Sequence, residues 1–261
     1  MIKYSEEEGF IEVKGIHFKD DYKGSKKLSS VAIGIFSKLL VDSIAKKYNC
    51  QEIGYIKTAS FNRSVYLLNY KGEKFVFFGA GVGAPVIASD IEELYANGVR
   101  KIIIFGSCGV LDNTIEDCTI LIPTRAYRDE GTSYHYMKSS KYITLNKKYK
   151  KEFKEILKKY NFNYKEGYTW TTDAIYKETK SKIKYFKDAG CICVEMEASA
   201  EAAVTKYRGM DLFTFFYACD NLDAVKWEER SLSCNVKLDV KSLIAKFAFE
   251  LALKIKKETN N

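Results

Sequence analysis

Histidine, proline and tryptophan are scarce, with two of each in 261 residues. The seven cysteines form no CxxC pair, and no Cys/His set has zinc-ligand spacing, so a metal centre is not expected. Four of them, Cys108, Cys191, Cys193 and Cys219, lie in apolar runs, as buried reduced thiols of a cytoplasmic protein do. Arginine is also short: only six of the 42 basic residues are Arg. Lysine is a solvated point charge, whereas Arg reads phosphates and base edges with a planar fork. The net charge of +8 is therefore read as a soluble surface able to take a small anion, and no nucleic-acid partner is expected. No apolar stretch reaches the ~18 residues of a membrane span, so no membrane association is expected. The start, MIKYSEEEGF, is acidic and has no apolar core of a signal peptide.

What is present is a well-filled interior. Hydrophobic residues make up 46% and aromatics 14% of the chain, enough for one large domain. We take residues 1–261 as that single domain, since no repeat, linker or composition break divides them. Short β-branched or aromatic runs predict strands at 31–35, 64–70, 74–78, 101–105, 118–122, 168–171, 191–194 and 212–217. Helical patterns fall at 38–47, 86–97, 150–160, 174–188, 197–207 and 240–257. Continuous apolar strands such as IIIF and LFTFFY are buried on both faces. The alternation predicts an α/β fold with a mixed, largely parallel central sheet flanked by helices. Ligands of such sheets bind beyond the carboxyl ends of the strands.

Chemistry-bearing residues collect at those ends. Gly34 precedes a helix start with Lys38 in its first turn, a place for an anion or an ordinary turn. GAGVGAP (79–85) joins a strand to a helix but fits neither GxGxxG nor the P-loop. It exposes backbone amides, or simply lets two backbones cross closely. GSCG (106–109) could offer the Ser107 hydroxyl to an oxyanion, or form a tight turn. RDEGTSYH (128–135) is densely polar and holds one of the two His. VEMEAS (194–199) closes a strand and opens a helix; its carboxylates could stabilise the helix start or accept hydrogen bonds from a sugar diol. Asp220 follows FTFFYAC, where a desolvated carboxyl suits general-acid work, or an Asx-turn.

The order and spacing of GAGVGAPVIASDIEEL (79–94), KIIIFGSCG (101–109), VEMEAS and Asp220 resemble the nucleoside phosphorylase/nucleosidase family, in its six-subunit purine and uridine phosphorylase branch. The resemblance spans roughly residues 30 to 250. It implies a reversible phosphorolysis of a nucleoside, with inorganic phosphate as co-substrate and no cofactor. The resemblance implies a phosphate site of the Gly34 amide, Lys38, Ser107 and Arg63, the last lent across a dimer interface. Glu197 matches the Glu that holds the ribose 2′ and 3′ hydroxyls, with Met196 lining the sugar. Cys108 and Gly109 fall beside the nucleoside, Trp170 at the position of an aromatic on the base, and His17 at that of an N-terminal His reaching a neighbour's 5′ hydroxyl. Asp220 matches the Asp that protonates a purine at N7. A dimer-based homo-oligomer, a hexamer in this branch, follows.

Two positions depart from the family pattern. Ile104 stands where these phosphorylases carry Arg, and Lys38 where they carry another Arg. Hydrolytic nucleosidases of the same fold also lack these arginines. RDEGTSYHY and TWTTDAIYKET (169–179) resemble the uridine phosphorylases, whereas Asp220 favours purines. A purine-leaning nucleoside phosphorylase is the main expectation. A uridine phosphorylase, a hydrolytic nucleosidase and a non-catalytic nucleoside-binding protein are the alternatives.

Overall fold

The computed structural model describes residue 2, residues 4–233 and residues 235–259. In chain order its elements are β1 (His17–Phe18), β2 (Val31–Ile35), α1 (Lys38–Lys47), β3 (Gln51–Ile56), β4 (Arg63–Tyr70), β5 (Glu73–Gly79), α2 (Ala84–Ala96), β6 (Lys101–Val110) and β7 (Ile120–Asp129). They continue with α3 (Ser133–Tyr136), β8 (Tyr142–Thr144), α4 (Lys150–Lys159), β9 (Tyr164–Thr172), α5 (Lys180–Asp188), β10 (Cys191–Glu195), α6 (Ala198–Tyr207), β11 (Asp211–Asn221) and α7 (Leu238–Thr259). The strands share one sheet, ordered β1-β3-β4-β5-β2-β6-β10-β9-β7-β11, with β8 on β7. A further pairing of β11 with β6 closes β6, β10, β9, β7 and β11 into a ring. The sheet is mixed, as expected. Its parallel pairings are β5-β2-β6-β11 and β10-β9-β7, while the edge and hairpin pairings, and β6-β10 and β7-β11 within the ring, are antiparallel.

Side-chain alternation builds two layers. Val31, Ile33 and Ile35 of β2, with Ile103 and Phe105 of β6, face the core of α1, α4 and α7. Ala32, Ile102 and Ile104 face the opposite layer, under α2 and α6. Both faces of the central strands are thus dry, which explains their unbroken apolar runs.

Several elements differ in extent from the sequence expectation. β6 and β11 run past the expected turns to Val110 and Asn221, because each remains paired within the closed ring. The helix expected over 174–188 is split. A short 3-10 turn covers Ile175–Lys177, and α5 starts only after Thr179, whose Oγ1 accepts the Lys182 N–H. RDEGTSYH is a structural clasp. Arg128 donates to Ser133 Oγ, Ser140 Oγ and the Lys138 carbonyl, and Glu130 accepts from the Ser133 N–H and Ser199 Oγ. His135 is exposed. Cys108, Cys191, Cys193 and Cys219 are buried free thiols, as expected. Among the described residues no helix is long and apolar enough to cross a membrane.

One core feature carries a measurable cost. Glu201 of α6 is fully buried, with the buried Thr214 hydroxyl as the polar group beside its carboxyl. Burial and the nearby Glu195 and Glu197 charges push its pKa well up. Burial likewise moves Asp90 from 3.8 to about 6, and Glu197 from 4.5 to about 8. The native state therefore binds more protons than the unfolded chain between pH ~4 and ~8, and stability falls as pH rises through that window. Urea unfolding at pH 5 and pH 8 should show this loss. Glu201→Gln should flatten part of it and be at least as stable as the wild type at pH 8.

Candidate active site

The site grows from one helix start. β10 ends at Glu195, and α6 begins at Ala198. The first turn of a helix has N–H groups without intrahelical partners. Glu195 supplies the acceptor: its Oε2 takes the N–H of Glu197 (2.7 Å) and of Ala198 (2.6 Å). Its Oε1 accepts from Thr171 Oγ1 (2.6 Å) and Thr169 Oγ1 (3.1 Å) of β9. A buried carboxyl fully occupied in this way is structural. It leaves Glu197, next along the chain but one, free to face the cavity.

That cavity, of about 190 Å³, lies beside the carboxyl ends of the central strands. Ser107, Cys108 and Gly109 of β6 form one wall, and Val194, Glu195, Met196 and Glu197 another. Phe36, Val82, Ile175, Glu178, Phe216, Asp220 and Leu232 complete it. The glycine-rich loop reaches Glu197 directly, since the Gly83 N–H donates to its Oε1 at 2.6 Å, while the Met196 N–H donates to Oε2 at 3.2 Å. Burial, then the Glu195 charge, raises the Glu197 pKa to about 8. Its partners are two amides, which favour the charged form, so a ligand that brings further hydrogen-bond donors would draw the group toward the carboxylate. Asp220 sits on the facing side. Its Oδ2 accepts from Trp227 Nε1 (2.9 Å), while Oδ1 lies over Gly109. Burial raises its pKa against the Trp227 hydrogen bond and the Arg230 charge. A side chain at 109 would strike Leu222 and Val194, so glycine keeps this wall open.

The structure thus brings Ser107, Cys108, Gly109, Met196, Glu197 and Asp220 to one cavity. Other expected site residues lie elsewhere. Trp170 is fully buried on the far side of β9, stacked on Phe186 with centroids 4.3 Å apart and donating from Nε1 to Asp129 (3.0 Å). Strand alternation decides this: Thr169 and Thr171 face Glu195, so Trp170 must face away. Phe36 and Phe216 are the aromatics that line the cavity. Lys38 is exposed and paired with Asp42 at 2.5 Å along α1. Gly34 lies within β2, in register between Phe78 and Ile104, and a Cβ there would meet the Phe78 ring at 2.9 Å. Ile104 is buried in the layer under α2 and α6. His17 is on edge strand β1, stacked on Tyr55 (5.4 Å) and outside this cavity.

Arg63 likewise lies outside this cavity, buried against Asp90 of α2 in an ion pair. Asp90 Oδ2 accepts the Gly81 N–H at 2.9 Å, and a Cβ at Gly81 would meet the guanidinium at 3.1 Å. The pair therefore pins the glycine-rich loop from beneath. Sequence reasoning gave no role to Glu178, Trp227 or Phe216. Glu178 and Phe216 fall inside motifs already singled out, but nothing local tells which way they point.

A profile of the phosphorylase superfamily matches residues 31–256, and the chain belongs to that superfamily. The family expected from the motifs, that of purine nucleoside and uridine phosphorylases, is therefore the correct one. It is similar to a guanosine phosphorylase of Halorubrum lacusprofundi, 29% identical over 57% of this chain and 63% of that one. A DeoD-type purine nucleoside phosphorylase of Bacillus cereus is 23% identical over 66% of this chain and 75% of its own. The uncharacterized protein R802 of Acanthamoeba polyphaga mimivirus is 29% identical over 62% of this chain, and the match spans 63% of its length. Among solved structures, the purine nucleoside phosphorylase of Toxoplasma gondii with immucillin-H superposes with a TM-score of 0.77, at 16% identity over 89% of this chain and 94% of that one. The uridine phosphorylase of Vibrio fischeri gives 0.74, at 22% identity over 87% and 93%. These superpositions establish a shared fold.

The loop-pinning pair is testable by stability. Removing one partner of a buried ion pair strands the other, at a cost of about 3–5 kcal/mol. Asp90→Ala should lose about that much in urea unfolding. The double variant Arg63→Met/Asp90→Leu should regain most of it.

Proposed function

We propose that the chain is a nucleoside phosphorylase acting on purine nucleosides. The observation that carries this reading is the shared cavity of Glu197 and Asp220, with the Ser107 hydroxyl on its wall. Glu197 accepts the 2′ and 3′ hydroxyls of the pentose, and its carboxylate supports the positive charge that grows on the ring as the glycosidic bond loosens. Met196 lines the sugar. The bond from C1′ to N9 breaks with its electron pair going to the base. Asp220 passes its proton to N7, so the base leaves neutral. A phosphate oxygen, held by Ser107 and neighbouring amides, bonds to C1′ and gives the pentose 1-phosphate. Uridine is the weaker candidate, because a departing pyrimidine has no N7 to protonate.

A hydrolytic nucleosidase is the second reading, and one observation favours it. The basic residues expected at the anion site are engaged or absent: Arg63 pairs with Asp90, Lys38 with Asp42, and Ile104 is apolar. Water would then take the place of phosphate at C1′.

We further propose a homo-oligomer. Val82, Ile175 and Trp227 are exposed at or near the cavity rim, which suits cover by a second subunit. The exposed edge position of His17 leaves it available to such a neighbour. The described thiols are unpaired, which fits a reducing, cytoplasmic setting.

Turnover of inosine, adenosine and uridine, with and without phosphate, tests the reading. Phosphate-dependent release of purine with pentose 1-phosphate is expected. Release of free pentose regardless of phosphate would replace it with hydrolysis. Binding without turnover of any nucleoside would make the protein a nucleoside sensor. Asp220→Asn should cut purine turnover by about 10²–10⁴-fold, the usual worth of a general acid. Glu197→Ala should abolish activity with every nucleoside; a rise confined to the phosphate KM would remove Glu197 from the sugar.

A further inference from the structure

Glu178 has no part in the chemistry above, yet it lines the same cavity as Asp220. It stands just before α5, in the segment between the 3-10 turn and the Thr179 cap. Its backbone is fixed there, because the Glu178 N–H donates to the Ile175 carbonyl. No described residue hydrogen-bonds its carboxylate. The basic group whose charge acts on it, Lys182, is held by Asp129 at 2.8 Å. A half-buried carboxylate left without a partner, facing a binding cavity, is a group waiting for a ligand donor.

We infer that Glu178 accepts a hydrogen bond from the exocyclic amino group of the leaving base, so that the site selects 6-aminopurine over 6-oxopurine nucleosides. The inference rests on the purine reading of Asp220. N7 of a purine and its 6-substituent lie side by side on one edge of the base. Asp220 offers a proton to N7 from Oδ1, its Oδ2 being occupied by Trp227. The neighbouring Glu178 then meets the 6-substituent. Burial, then the Asp220 charge, raises Glu178 to about 7. With the proton that N7 receives carried on Asp220, the two carboxyls of this cavity present one donor and one acceptor. A 6-aminopurine matches it with an N7 acceptor and an N–H donor. A 6-oxopurine offers two acceptors, which leaves the Glu178 carboxylate against a carbonyl oxygen, desolvated and unpaired. Sites built around such a hydrogen bond discriminate strongly against the analogue that cannot make it.

The experiment compares kcat/KM for adenosine and inosine in the wild type and in Glu178→Gln, in saturating phosphate and without it. The wild type should favour adenosine by about tenfold or more. Glutamine can turn its amide to either substituent. Glu178→Gln should therefore lower the adenosine-to-inosine ratio by about tenfold, with the inosine value unchanged or raised. A structural role for Glu178 would lower both rates together and leave the ratio fixed, which would overturn the inference. So would a wild type that prefers inosine. If purines are cleaved but the ratio does not move, the purine reading survives and only the selection by Glu178 fails. If uridine alone is cleaved, both fail. Calorimetric binding of adenine and hypoxanthine to the wild-type protein gives a test that needs no variant. Adenine should bind about tenfold or more tightly, and equal affinity would overturn the assignment.

Discussion

Glu195 accepts four hydrogen bonds while buried, and the geometry of the cavity depends on it. Two come from the open first turn of α6 and two from the threonines of β9. They lock a helix, a strand and the end of β10 together. Because Glu195 meets those demands, Glu197 does not have to. Its oxygens are met by the amides of Gly83 and Met196 and still face the cavity. A buried carboxyl satisfied by amides and hydroxyls, with no cation, keeps the site acidic and geometrically narrow.

Among the described residues, the cavity lining carries no cation. Arg63 and Lys38 are paired with carboxylates of their own chain, one buried and one at the surface. Ile104 packs in the layer beneath Gly34. Ser107 is the hydroxyl-bearing residue of the cavity wall. The opposite side carries Asp220 and Glu178, both with pKa raised chiefly by burial. Under the proposed reading, this cavity moves or holds protons at the base and grips hydroxyls at the sugar, and the nucleophile that enters the remaining face separates phosphorolysis from hydrolysis.

Much of this could be read from local patterns. Strand β2 and helix α1 fall at the expected residues, since apolar runs and helical spacing are properties of neighbours. The VEMEAS turn opens a helix with Glu197 at its cap. Other features were not local. β6 and β11 continue through the expected turns because each still has a partner in the closed ring, and no residue within GSCG or ACDN signals that. Trp170 could be placed on a strand but not on a face, since register depends on which neighbours the strand finds. Arg63 could be recognised as a candidate cation, but its partner Asp90 is 27 residues away.

The sequence by itself determined the class of fold, the family, and the identity of the two carboxyls, Glu197 and Asp220, that share the cavity. Those depend on short-range spacing: strand, glycine turn, helix, and an acid at a strand end. Tertiary structure alone decided which side chains turn toward the cavity and which toward the core. Glu178 joined Asp220, Trp227 reached the Asp220 carboxyl, and Arg63 was drawn inward beneath the glycine loop. The physical reason is desolvation. A charged or polar group gains its partner, and its pKa, from whatever the fold brings against it once water is gone, and those neighbours come from distant parts of the chain.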